Sequence, residues 1–199
     1  MPARCDVDAQ LGLRYGTQSE RQRLDLYRPK VRLPGRDPWP VVVWLHAGGW
    51  AGGSPASVRR WALAQVCRGY AVVALGYRVS WEAPFPTALV DVKQGIRSIK
   101  QHAQDWQLDP TRIALWGASS GAHLASLAAL TASFPDHARR DLQGYDASVQ
   151  AVVHWWGATD FIDYLRPWPK HCPVQRHPER SDSPESKALG CPLRQCLEA

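Results

Sequence analysis

Apolar residues cluster in four short runs: Val41-Val42-Val43-Trp44-Leu45, Ala71-Val72-Val73-Ala74-Leu75, Ile113-Ala114-Leu115-Trp116 after Arg112, and residues 149–155. The runs are continuous rather than alternating, which is the pattern of strands buried on both faces of a parallel sheet. Segments of helical spacing lie between them. Residues 57–68 place Val58, Trp61, Ala62 and Val66 on one stripe. Leu89, Val92, Ile96 and Ile99 form another, with Lys93, Arg97 and Lys100 elsewhere around the helix. Residues 122–131 are almost wholly small or apolar, which suits a helix lying on the centre of a sheet. Residues 7–28 read differently. Arg23 to Tyr27 alternates with period two and residues 16–20 supply a turn, so a hairpin of two edge strands is predicted. The prolines and glycine of 29–40 predict a loop.

Buried strands alternating with helices imply an α/β fold, a doubly wound and mostly parallel sheet with helices on both faces. With 199 residues, 45% hydrophobic and 21% charged, the chain suffices for one domain. The pattern assigns that core to residues 1–166. Residues 167–199 carry six prolines and three cysteines without apolar periodicity, which predicts an irregular tail. Ten tryptophans point to aromatic-rich packing.

The net charge of +6 comes from scattered residues, and the longest basic runs are pairs such as Arg59-Arg60 and Arg139-Arg140. That argues against a nucleic-acid partner. No stretch has the length of a membrane span, and Met1 to Asp6 lacks an apolar signal core, so a cytoplasmic chain without a membrane partner is expected. Five cysteines leave at least one unpaired. Cys5 and Cys67, far apart in sequence, are expected to be free. Cys172, Cys191 and Cys196 crowd the tail, where a Cys191–Cys196 bridge can form unless a reducing compartment disfavours it. No Cys-x-x-Cys spacing is present, so neither a metal nor another cofactor is expected.

Gly117-Ala118-Ser119-Ser120-Gly121 fits the G-x-S-x-G nucleophile elbow. An apolar strand precedes it and an Ala/Leu helix follows. The elbow turns so sharply that the residues two places from the serine must be tiny. It lifts the serine oxygen above the sheet at a helix N-terminus, where free N–H groups and the helix dipole favour developing negative charge. Ser119 alone has glycines at both spacings, which makes it the candidate nucleophile. His46-Ala47-Gly48-Gly49-Trp50 directly follows the 41–45 strand, where hydrolases of this kind carry an H-G-G-G loop. Glycines there let backbone N–H groups face a cleft unobstructed. The expected oxyanion donors are the N–H groups of Gly48, Gly49 and Ser120. His46 is expected to brace the loop, with Gly117 and Gly121 supporting the elbow.

Further segments carry a specific resemblance. Leu24-Asp25-Leu26-Tyr27-Arg28-Pro29, Val42 to Trp50, Gly69 to Arg78, Ala83-Pro84-Phe85-Pro86, Asp91-Val92-Lys93 and Leu108 to Ile113 resemble, in matching order, the bacterial α/β-hydrolase esterases. The chain is most similar to the BD-FAE-like family (bifunctional feruloyl and acetyl-xylan esterase type), near the hormone-sensitive-lipase-like esterases. Trp156 to Phe161 resembles that family's segment after the sixth strand, and Ser183 to Gly190 the segment ahead of the seventh. Ala47, and Ala122 where a further glycine is usual, depart from the family pattern. The resemblance implies an α/β-hydrolase fold lacking its last two strands. It also implies a serine carboxylic-ester hydrolase whose small-molecule substrates are small acyl or carbohydrate-linked esters.

In that family the acid and base follow the seventh and eighth strands, so both would lie beyond Ala199. Among residues present, Asp160 reads as a cap for a short helix over 161–165. His123 is expected to pack within the domain and His154 to line a strand. His137, His171 and His177 fall in loops. Without a base the serine is a weak nucleophile. The sixth strand would form an open edge bearing Val149, Val152 and Val153, an invitation to pair with a second copy. Two alternatives stand beside the esterase. One is a non-catalytic relative that binds an ester or sugar. The other is an interaction module that pairs through the open edge.

Overall fold

The computed structural model describes residues 5–31, 34–134, 142, 144–166 and 180–198. Six strands, β1 (Val7–Arg14), β2 (Arg23–Pro29), β3 (Trp39–Leu45), β4 (Ala71–Leu75), β5 (Leu108–Ala118) and β6 (Ala151–Trp155), form one sheet in the order β1-β2-β4-β3-β5-β6. The pairs among β3, β4, β5 and β6 are parallel, while β1–β2 and β2–β4 are antiparallel. The expected edge hairpin therefore extends an otherwise parallel sheet. All five residues of β4 are buried, as its continuous apolar run implies.

Five helices accompany the sheet: α1 (Arg59–Val66), α2 (Thr87–Gln101), α3 (Ser120–Leu130), α4 (Pro184–Leu189) and α5 (Leu193–Glu198). One face of the sheet packs Leu26, Val43, Leu45 and Leu115 against Val92, Ile96 and Ile99 of α2 and Leu124 and Ala128 of α3. The other face gathers Tyr27, Trp44, Val72 and Ala118 with Val58 and Val66. There Trp44, Trp116 and Trp155 meet edge to face across three neighbouring strands, at centroid distances of 5.4, 6.3 and 4.7 Å.

Local detail departs from the sequence expectation where long-range partners intervene. β5 begins at Leu108, before the apolar run, because Leu108 pairs with Trp39 at the start of β3. The helix expected over 57–68 starts as a 3₁₀ turn, Pro55–Val58, before α1. Lys93 and Arg97 are buried on α2. The Lys93 ammonium reaches the Thr131 carbonyl, and Arg97 Nε donates to the Tyr145 carbonyl at 3.0 Å. Their long apolar stems make this burial affordable.

The tail is not wholly irregular. Ser183 caps α4 by accepting from the Ser186 N–H at 3.1 Å, Pro184 opens it, and Gly190 ends it at φ 86°. Ala188 joins the main core and Leu193 of α5 is fully buried. Residues 167–179 lie outside the described residues. The expectation of free Cys5 and Cys67 is corrected, since a disulfide joins them with Cα atoms 5.4 Å apart. Their separation of 62 residues in sequence is closed by the sheet, which sets the segment entering β1 beside the end of α1. Cys191 and Cys196 are also bridged.

Candidate active site

Connections leave β3 and β5 in opposite directions, to β4 on one side and β6 on the other. In open α/β sheets the crevice outside the carboxyl ends of two such strands is where ligands bind. The two segments at those ends are the glycine loop, 46–53, and the elbow, 117–121.

Ser119 takes φ 52° and ψ −123°, a conformation that side-chain-bearing residues rarely adopt. Two glycines impose it. A Cβ at Gly117 would run into the backbone of Gly121 and Ala122, and a Cβ at Gly121 would run into the carbonyl oxygens of Leu45 and His46. The second contact presses the elbow onto the start of the glycine loop and so unites the two motifs. Ser119 N–H donates to the Trp155 carbonyl at 2.8 Å, and the Ser119 carbonyl starts α3 by accepting from Ala122 and His123 at 3.0 and 3.1 Å. Ser119 is half-buried and Ser120 buried.

The glycine loop folds back on itself. The Gly48 carbonyl accepts from the N–H groups of Ala51 and Gly52 at 3.0 and 3.1 Å, and Gly48 sits at φ 147°, where a Cβ would meet the Gly52 carbonyl. Three other carbonyls of the loop are tied to groups around it. Trp50 accepts from Ser80 N–H at 2.8 Å, Ala51 from Trp81 Nε1 at 3.2 Å, and Gly53 from Arg21 Nη1 at 3.0 Å. These ties fix the loop's peptide planes. Among the described residues no group accepts from the N–H of Gly48, Gly49 or Ser120.

His46 is buried and stacked on Tyr77 at 4.2 Å, with Nδ1 3.1 Å from the Ala47 carbonyl. The Tyr77 hydroxyl donates to the His46 carbonyl at 2.7 Å. Burial lowers the His46 pKa to about 4, so the ring is neutral at ordinary pH.

Two further imidazoles are occupied elsewhere. His154 of β6 contacts Ser126 Oγ at 2.9 Å through Nδ1 and the Gly157 carbonyl at 3.1 Å through Nε2. His102 stacks on Trp106. Asp160 accepts from the N–H groups of Ile162 and Asp163 at 2.8 and 3.3 Å in a local turn, while the expected helix is only the 3₁₀ turn Asp163–Leu165, whose N-cap position is Ile162 and has no side-chain cap. His137, His171 and His177 lie outside the described residues. No described side chain makes a hydrogen bond with Ser119 Oγ. Among the described residues no helix is long and apolar enough to cross a membrane, and no group of three or more His, Cys, Asp or Glu is placed to hold a metal.

Sequence reasoning missed a narrow pocket beside the elbow, between Trp50, Phe85, Leu124, Phe161 and Leu189, with His123 in its wall. Its walls come from five separate segments. Only the apolar character of each was visible in the sequence.

The sheet order and the elbow define an α/β hydrolase. The chain belongs to the BD-FAE family, whose sequence model matches residues 24–197. It is 32% identical to the esterase LipC of Mycobacterium tuberculosis over 170 residues, 79% of this chain and 42% of that protein. The bifunctional GH43-CE protein of Bacteroides eggerthii superposes with a TM-score of 0.79 at 27% identity, over 95% of this chain and 27% of that one. Esterase B of Lactobacillus rhamnosis, solved with a tributyrin phosphonate inhibitor, superposes with a TM-score of 0.60 at 28% identity, over 75% of this chain and 46% of that one. The chain spans between a third and a little over two-fifths of the length of the first curated relatives, 34% to 42%.

Proposed function

We propose that the chain carries the nucleophile and oxyanion hole of a serine carboxylic-ester hydrolase. The strained Ser119 turn, held by Gly117 and Gly121 at the switch point of the sheet, carries this reading. Ser119 Oγ attacks the ester carbonyl, and the resulting oxyanion accepts from the N–H groups of Gly48, Gly49 and Ser120. Such preorganised donors contribute about 3–4 kcal/mol each to the transition state. Collapse releases the alcohol and leaves an acyl-serine, which water hydrolyses. The general base and its acid partner come from outside the described residues. Small acyl and carbohydrate-linked esters are the substrates, a reading supported by the tributyrin phosphonate on esterase B and by the BD-FAE family to which the chain belongs.

Two further readings attach to the whole chain. The Cys5–Cys67 disulfide supports an oxidising compartment in place of the cytoplasmic one expected from sequence. The outer side of β6 supports pairing with a second copy.

The test is exposure of the 199-residue chain and its Ser119→Ala variant to p-nitrophenyl acetate, followed by peptide mass spectrometry. Slow acetylation confined to Ser119 and absent from the variant is the expected result. Equal nitrophenol release by both proteins, with no acetyl group on Ser119, would overturn the assignment.

A further inference from the structure

α3 carries His123 one turn beyond Ser119, and the pocket beside the elbow opens against its ring. Apart from Ser80 the rest of the lining is apolar, and Trp50, Phe85, Leu124, Phe161 and Leu189 supply most of it. The ring cannot turn freely. Phe161 stacks on it at 5.1 Å and 19°, and Trp50 meets it edge-on at 5.4 Å and 86°.

A third contact fixes its protons. Trp50 Nε1 lies 3.2 Å from His123 Nδ1. An indole nitrogen can only donate, so Nδ1 must be the bare, accepting nitrogen. Burial, reinforced by the nearby His154, lowers the His123 pKa to about 4, so the ring is neutral at ordinary pH. Its single proton then sits on Nε2. Among the described residues no group accepts from that N–H. The pocket thus holds this fixed donor in a largely apolar wall, in which Ser80 is the other polar residue. A ligand arm that displaces water from this donor must supply an acceptor in its place, or it leaves the donor unpaired at a cost. Sites of this construction reject analogues that lack the matching polar atom more strongly than analogues that differ by a methylene.

We propose that His123 is a specificity-determining residue whose Nε2–H selects esters bearing an ether or hydroxyl oxygen in the arm that enters this pocket, over alkyl arms of equal length. The proposal rests on the ester-hydrolase reading for the identity of the ligand, but binding to the pocket does not need turnover.

The test uses the Ser119→Ala chain, which binds without reacting, and two isosteric pairs of ligands. Methyl methoxyacetate against methyl butyrate places the oxygen in the acyl arm. 2-Methoxyethyl acetate against butyl acetate places it in the alcohol arm. Affinities are read by saturation-transfer NMR. The oxygenated member of at least one pair is expected to bind roughly three- to tenfold more tightly, the range of one neutral hydrogen bond. His123→Phe keeps a flat ring between Trp50 and Phe161 and should erase or reverse that preference, while His123→Gln, which can still donate, should keep part of it. Circular dichroism of each variant confirms folding. Absence of saturable binding, equal affinities within both pairs, or a preference that survives in His123→Phe would overturn the proposal. Ser119 acylation is measured separately. Failed acylation with intact discrimination removes the ester-hydrolase reading and leaves the His123 donor standing, and the reverse result does the opposite.

Discussion

Ser119 holds its φ of 52° because Gly117 and Gly121 leave the chain no other path between β5 and α3. A non-glycine residue in such a region carries about 1–3 kcal/mol of strain. Ser119→Gly removes that strain, and the added freedom of glycine in the unfolded chain takes back about 0.5–1 kcal/mol. The relief is the larger of the two, so the variant is expected to gain about 1 kcal/mol while losing the nucleophile. Urea unfolding measures it, and a lower midpoint in the variant would contradict the strain account. His46 and His123 set a pH dependence of their own. Both rings are held near a pKa of about 4, against 6.5 for an ordinary histidine. The unfolded chain therefore binds more protons between those values, and stability must fall as pH drops from 6.5 towards 4. Asp146, which the Lys100 ammonium and then Ser148 hold below the usual carboxylate range, responds only in more acidic solution. Urea midpoints should thus already decline between neutral pH and about pH 5, and His46→Gln should flatten part of that decline. A midpoint constant over this window would show that neither ring is buried neutral.

Among the elements, the tie between the hairpin, the loop after β4 and α2 runs through one carboxylate. Asp91 of α2 is fully buried and accepts from Arg78 Nη2 at 2.7 Å, from Arg78 Nε and N–H at 2.9 Å each, and from Gln22 Nε2 at 2.8 Å. Removing one partner of a buried ion pair costs about 3–5 kcal/mol, because the other is left uncompensated. Asp91→Asn is therefore expected to destabilise by about 3 kcal/mol in chemical unfolding, and a loss under about 0.5 kcal/mol would mark the pair as dispensable. What the sequence revealed follows the same division between local and distant causes. The apolar runs located β3, β4 and the middle of β5, and the glycines at 117 and 121 announced the elbow, because strand burial and a tight turn leave local signatures. The helices α4 and α5 are too short, at six residues each, to display a period. The burial of Lys93, the pairing of Cys5 with Cys67 and the walls of the His123 pocket depend on residues brought together only by the finished sheet.

On the scale of the molecule, the two edges of the sheet are unlike. β1 closes one side as an antiparallel strand, and the disulfide fastens the segment before it to the residue just after α1. β6 closes the other, and no described strand pairs with its outer side. Val153 on that strand is 42% exposed, and beyond it Trp156 is 74% exposed and stacked on Trp155. An edge row with no strand partner among the described residues, next to exposed aromatic surface, is a template for another strand. A second copy can offer the same row, so β6 to β6 pairing would continue one sheet through two molecules. The net charge of +6 opposes that approach. Salt shortens the range of such repulsion from about 30 Å at 0.01 M to about 3 Å at 1 M, while hydrogen bonds and apolar contact at the edge are affected far less. Sedimentation velocity should therefore find self-association that strengthens as salt is raised. Val153→Lys, a charge set on the edge strand, should weaken it at every salt concentration. An interface held mainly by ion pairs would instead weaken with salt, and a monomer under all conditions would mean that the edge is already covered.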